Sequence, residues 1–180
     1  KKVVKIDEPN MKVDPEYGGP EYETLAALGS TCGVNDLKAI SKGNEMCGAY
    51  SLDTLSMGDT IGFAMECYEK GILTSKDTGG VELKWGSAEA MLKVIEMVTR
   101  RQGIGDILAD GTKEAAKKIG KGSEAFSMDV KGVNFPMHDP RAKGVLGLGY
   151  AINPHGADHC FNVHDTGFIA PGPMLTAKLA

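Results

Sequence analysis

Three short stretches of this chain carry side chains that could do chemistry. Glu23 follows Gly18, Gly19 and Pro20, where the backbone is free to approach a large ligand. A carboxylate there could act as a general base if its surroundings tune it, or Glu21 or Glu23 could cap a helix through Thr24–Leu28 and interact with its dipole. Asp53 has the same two readings. It stands where an N-cap belongs, before Thr54-Leu55-Ser56, and it could instead accept hydrogen bonds from the ring N–H groups of a heterocyclic cofactor. The third stretch is His155-x3-His159-x4-His164, flanked by Asp158 and Asp165. On a helix His155 and His159 would share a face and could hold a metal. Pro154 and Gly156 favour a turn, and the HExxH glutamate is missing, so hydrogen-bonding or acid–base histidines are the competing reading.

Other patterns exclude more than they assign. Gly103-Ile-Gly105 and Gly144-Val-Leu-Gly147-Leu-Gly149 follow no clear strand, which argues against a dinucleotide-binding turn. No Gly-x-Ser-x-Gly elbow or Walker loop is present. His138-Asp139-Pro140-Arg141 reads as a turn closed by an ion pair. Cys32, Cys47, Cys67 and Cys160 form no CxxC pair and read as reduced thiols of a cytoplasmic protein.

The elements that must position these residues are mainly helical. Residues 1–20, broken by Pro9, Pro15, Gly18, Gly19 and Pro20, read as an extended, irregular leading segment. A helix is predicted from about Asp36 to Cys47, with Leu37, Ile40 and Cys47 on one face. A buried helix runs from the Asp53 cap to Lys70, stopped by Gly71. Residues 74–86 read as a loop with a short strand at Val81–Lys84, and Ser87 caps a helix ending near Arg101. One further helix is predicted over Asp106–Ile119, supported by Glu114 and Lys118. Residues 126–135 could form one or two strands. The domains expected are a helical one over 1–122 and a loop-rich segment over 123–180 that faces a ligand.

Composition sets the outer bounds. The chain has 180 residues, enough for a real core, with 20 basic against 24 acidic side chains and a net charge of −4. No basic stripe supports nucleic-acid binding, and no apolar run approaches the ~20 residues of a membrane span. The first residues, Lys-Lys-Val-Val-Lys, contain no apolar signal region and no initiator Met, which suits a piece of something longer.

Gly19-Pro-Glu-Tyr-Glu-Thr24, Gly33-Val-Asn-Asp-Leu37, Leu52-Asp-Thr-Leu-Ser56, Ala64-Met-Glu-Cys-Tyr-Glu-Lys-Gly71, Trp85-Gly86, Gly103-Ile-Gly-Asp106, Asp139-Pro-Arg141 and Gly147-Leu-Gly-Tyr-Ala151 lie in one collinear series. It resembles the middle of the tungsten-containing aldehyde:ferredoxin oxidoreductase family. The resemblance implies the family's helical domain 2 and the start of its domain 3. It also implies a fragment of an enzyme that interconverts an aldehyde, or a related carbonyl or acyl substrate, and its acid. The parent would use a tungsten (or molybdenum) bis-pterin and a [4Fe–4S] cluster, with ferredoxin as electron partner. By this similarity Glu23 and His159 match active-site residues, and Leu52 and Asp53 match the end of a pterin-holding motif of form Asp-x-x-Gly-Leu-Asp. The motif's first Asp and its Gly are Gly48 and Ser51 here. The residues that bridge subunits through iron in some members are Lys42 and Glu45 here, which implies no iron-bridged dimer. These departures suit a divergent branch, such as one acting on aromatic or CoA-linked substrates like the benzoyl-CoA reductases. The cluster cysteines, N-terminal β domain and second pterin motif lie outside these residues, so the segment alone is expected to be inactive and to hold neither cofactor. A zinc module built on His155, His159 and His164, and a non-catalytic helical interaction domain, are the alternatives.

Overall fold

The computed structural model describes residues 3–168. The chain divides after Met128 into two units.

The first unit is helical. Its leading segment is more regular than expected: β1 (Ile6–Glu8) and β2 (Met11–Val13) pair antiparallel, with Glu8 opposite Met11 across a two-residue turn. Pro9 lies in that turn, where its missing N–H costs no ladder bond. A short helix α1 (Tyr22–Thr24) then runs directly into a π-helical stretch, Leu25–Thr31. Three capped helices follow, the caps Asp53 and Ser87 being the expected ones. Asp36 accepts from the backbone N–H of Lys38 and Ala39 at the start of α2 (Leu37–Ala49). Asp53 accepts from Ser56 at the start of α3 (Thr54–Glu69), and Ser87 from Ala90 at the start of α4 (Ala88–Thr99).

Three expectations need correction. Leu37 is 61% exposed, because α2 buries the face carrying Ala39, Ile40, Gly43 and Cys47 instead. Residues 81–84 form no strand, since Val81 is held in a turn by its carbonyl accepting from the Thr78 hydroxyl. The helix predicted over 106–119 is two, α5 (Ile104–Leu108) and α6 (Thr112–Ile119), broken at Gly111 with φ +83°. The break re-pairs the charges: Lys118 reaches Asp110, and Glu114 pairs with Lys117.

α3 lies close against the π-helical stretch. A Cβ on Gly58 would stand 2.4 Å from the Ala27 carbonyl carbon, so only glycine permits this approach. Ile61, Met65, Met91, Val94 and Ile95 fill the core behind it, with Leu108 and Ala115 closing its lower side. Cys32, Cys47 and Cys67 are buried there, and burial pushes their thiols up to about 12, 12 and 11. They are packing groups rather than nucleophiles.

The second unit is smaller. β3 (Asp129–Val130) and β4 (Val133–Asn134) form a hairpin. Lys131 and Gly132, both at positive φ, make the tight turn that matches strand twist. The glycine-rich run, expected as loop, is helix α7 (Gly144–Ile152), which buries Leu146, Gly149 and Tyr150. Tyr150 packs on Phe135 with ring centroids 5.6 Å apart. Among the described residues no helix is long and apolar enough to cross a membrane.

Candidate functional site

In the first unit the structure places Glu23 in α1, half-buried, and Asp53 at the head of α3. The two segments are tied together one residue further along each. The hydroxyls of Thr24 and Thr54 are 2.7 Å apart and share a hydrogen bond. Glu21, not Glu23, occupies the cap position of α1, and its side chain makes no capping bond.

A third carboxylate joins them. Asp59 lies one turn along α3, largely withdrawn from water, and its carboxyl is pushed up to about 7. Burial is the main cause, followed by the negative charges of Asp53 and then Glu23. Motif and cap reasoning on the sequence misses Asp59, which sits in mid-helix among small and apolar residues. The signal that could find it is an acidic side chain in the apolar first half of a helix, six residues after an acidic cap.

The Ser51-Leu52-Asp53 turn explains part of the motif it resembles. Ser51 has φ +56°, a left-handed conformation that glycine adopts without strain, so the backbone demand persists where the side chain has changed. The N–H of Leu52 donates to the Cys47 carbonyl at 2.8 Å, closing the end of α2. Any backbone contact from Leu52 to a ligand therefore falls to its carbonyl. Asp53 Oδ2 accepts from Ser56 N at 2.8 Å, and a carboxylate has a second oxygen for another N–H donor. At Gly48, the Tyr17 ring lies over the Cα: an added Cβ would meet its Cδ1 at 3.1 Å. Lys42 and Glu45 satisfy each other at 2.9 Å on α2. Lys42 also lines a cleft of about 850 Å³ walled by Met11, Met46, Val81 and Leu92, whose lining includes none of Glu23, Asp53 and Asp59.

In the second unit His159 stands in an imidazole cluster with one of the two partners its spacing suggested, His164, and without the other. His155 turns away and stacks on Phe161, ring centroids 4.9 Å apart. His138 takes its place, 4.9 Å from His159 and 4.7 Å from His164. The zinc reading built on His155, His159 and His164 is corrected to that extent: residues 153–156 form a turn, so helical spacing does not apply. Ligand atoms of Asp158, His159 and Cys160 lie within 4.8 Å of one another, with Cys160 exposed. Asp139 and Arg141 form the expected ion pair, which holds Asp139 down at about 2.

The match that decides the family spans nearly the whole chain. The model for aldehyde ferredoxin oxidoreductase, domains 2 & 3, matches residues 1–170. The chain belongs to the aldehyde ferredoxin oxidoreductase family. It is 43% identical over 145 residues to a tungsten-containing aldehyde ferredoxin oxidoreductase of Thermococcus kodakarensis, and 42% identical over 148 residues to one of Pyrococcus furiosus. These alignments cover 80% and 82% of this chain but 24% of each relative, so the chain spans about a quarter of their length. Among solved structures it resembles the active-site complex BamBC of benzoyl coenzyme A reductase, bound to 1,5-dienoyl-CoA. That likeness has a TM-score of 0.63 and 28% identity, over 75% of this chain and 20% of that one. The mainly helical architecture is that of the family's domains 2 and 3.

Proposed function

We propose that this chain is part of a tungsten-pterin, iron–sulfur oxidoreductase that converts an aldehyde, or a related carbonyl or acyl substrate, to its acid and passes the electrons to a ferredoxin-type acceptor. The observation that carries this reading is the family match over residues 1–170, with Glu23 and Asp53 set at adjoining ends of α1 and α3. When bound, the pterin-held metal supplies two-electron chemistry, and a cluster passes the electrons on singly.

The chain's own residues bind and move protons. Asp53, with the Leu52 carbonyl, would accept from pterin N–H groups, a role that suits a carboxylate anchored by one oxygen at a helix start. Oxidation of an aldehyde to an acid consumes water and releases two protons, which need an acceptor. Glu23 is the base we assign to that task, and His159 the donor to the substrate oxygen. Asp59, whose carboxyl is pushed up to about 7, is the group we assign to take up the proton that reaches Glu23. The Lys42–Glu45 pair puts a cation and its counter-ion where an iron bridge would need two free ligands, so we assign no iron-bridged dimer.

Elemental analysis of the full-length parent, purified without oxygen from cells given tungstate, tests the reading. Tungsten with about four irons per tungsten, the ratio of one [4Fe–4S] cluster, supports it. Zinc alone, or no metal, overturns it.

A further inference from the structure

We propose that Lys143 is a positioning residue for His159, fixing His138 and His164 as neutral rings that carry their protons on Nε2 and together wall the His159 imidazole. The inference rests on His159 being the acid–base group assigned above.

The geometry lies wholly within the second unit. Lys143 Nζ stands 3.1 Å from His138 Nδ1 and 3.2 Å from His164 Nδ1. An ammonium has three N–H donors and no lone pair, so both Nδ1 atoms must accept. Each ring then keeps its one proton on Nε2. His138 and His164 meet edge to face at 87°, and His159 packs on His138 at 46° and on His164 at 79°. Turning either locked ring would turn the third.

Neighbouring groups hold this arrangement. Lys143 is itself the residue before α7, and the carboxylate of Asp165 accepts from Val145 N and Leu146 N at the same helix end, each at 3.0 Å. This fixes His164, its neighbour in sequence, against Lys143. Those two backbone bonds, and then the Lys143 charge, hold Asp165 low. The carbonyl of His138 accepts from the hydroxyl of Tyr150, which is buried in α7. Asn162 donates to the Asp158 carbonyl at 2.7 Å, closing the loop that carries His159.

The test uses the full-length parent labelled with ¹⁵N at histidine, with spectra assigned through His138→Gln and His164→Gln. Both rings are expected to show bare Nδ1 and protonated Nε2 in the wild type. Lys143→Met should lose that pattern and lower kcat about tenfold or more, as misplaced reacting groups do. KM should change less than about twofold, and tungsten and iron should be retained. Lys143→Arg, which keeps a cationic donor, should recover the pattern and most of kcat. A proton on Nδ1 of either ring in the wild type, an unchanged kcat in Lys143→Met, or loss of the metals in that variant overturns the proposal. The reading beneath it is checked separately by His159→Ala. Lost activity there with unchanged kcat in Lys143→Met sinks only the positioning role, whereas retained activity sinks both.

Discussion

Asp59 behaves quite unlike what its residue type alone suggests. Its folded carboxyl lies at about 7 against an ordinary value of 3.8, so the folded state binds its proton more tightly than the unfolded chain does. The stability this contributes is fully present below about pH 4 and is lost as pH rises through about 7. Asp59→Asn should therefore raise the melting temperature at pH 8 and change it little at pH 4. The gain at pH 8 is a few kcal/mol at most, since each tenfold difference in proton affinity between the two states is worth about 1.4 kcal/mol. Melts followed by circular dichroism decide this, and equal effects at both pH values would show that the proton is not held there. In the parent enzyme, Glu23→Gln keeps the shape of the side chain and removes the base. Its kcat should fall by about 10²-fold or more, the range for losing a general base. The melting temperature should hold, which separates chemistry from folding.

At the scale of elements, what sequence could tell followed from caps and periodicity, and what it could not followed from contacts between distant segments. Asp36, Asp53 and Ser87 announce α2, α3 and α4 because a short polar side chain before an apolar run has one good use, the orphan N–H groups of the first turn. Nothing local announces that Leu25–Thr31 is π-helical, or that His138 replaces His155 beside His159. α7 is hidden by its own glycines, which look like loop punctuation. In the folded unit they admit neighbours instead, Pro140 at Gly147 and Asn162 at Gly149. Glu23 and Asp53 are legible as residues, but Asp59 becomes visible only once burial is known. Asp53 allows its two roles to be separated. Asp53→Asn retains a capping oxygen, whereas Asp53→Ala loses it and should cost about 1 kcal/mol. If the carboxylate also holds the pterin, both variants should purify with little pterin while only the alanine variant melts lower. Normal pterin content in both would return Asp53 to a purely structural role. Gly58→Ala tests the joint between α3 and the π-helical stretch. Its Cβ meets backbone rather than a movable side chain, and overpacking of that kind costs about 1–3 kcal/mol, to be read from the midpoint of urea unfolding.

The two units of the molecule are built with unequal means. Among the described residues, the core of the first joins 23 buried side chains, drawn from every helix between α2 and α6, the π-helical stretch and the connecting segments, whereas the corresponding set in the second is Leu146, Tyr150 and Ala157. Apolar burial is the main favourable term in folding, so the second unit has far less to offset the entropy of ordering its loops. Polar and steric fits take over part of that task. The Lys131 ammonium donates to the Asn153 carbonyl at 2.7 Å, and the backbone at Gly156 passes so close to the hairpin that a Cβ would stand 2.1 Å from the Val130 carbonyl oxygen. Such contacts specify a geometry without adding much apolar area. α7 meanwhile leaves Leu148 62% and Ile152 70% exposed on its other face. Amides of α7 should accordingly exchange with solvent deuterium on the order of 100-fold faster than those of α3 and α4, a gap of about 2.7 kcal/mol in opening free energy. Exchange followed by mass spectrometry on the 180-residue chain would show it, with protection falling after Met128. Equal protection in α4 and α7 would mean that the polar framework around Lys143, Asp165 and Gly156 is worth as much as a hydrophobic core.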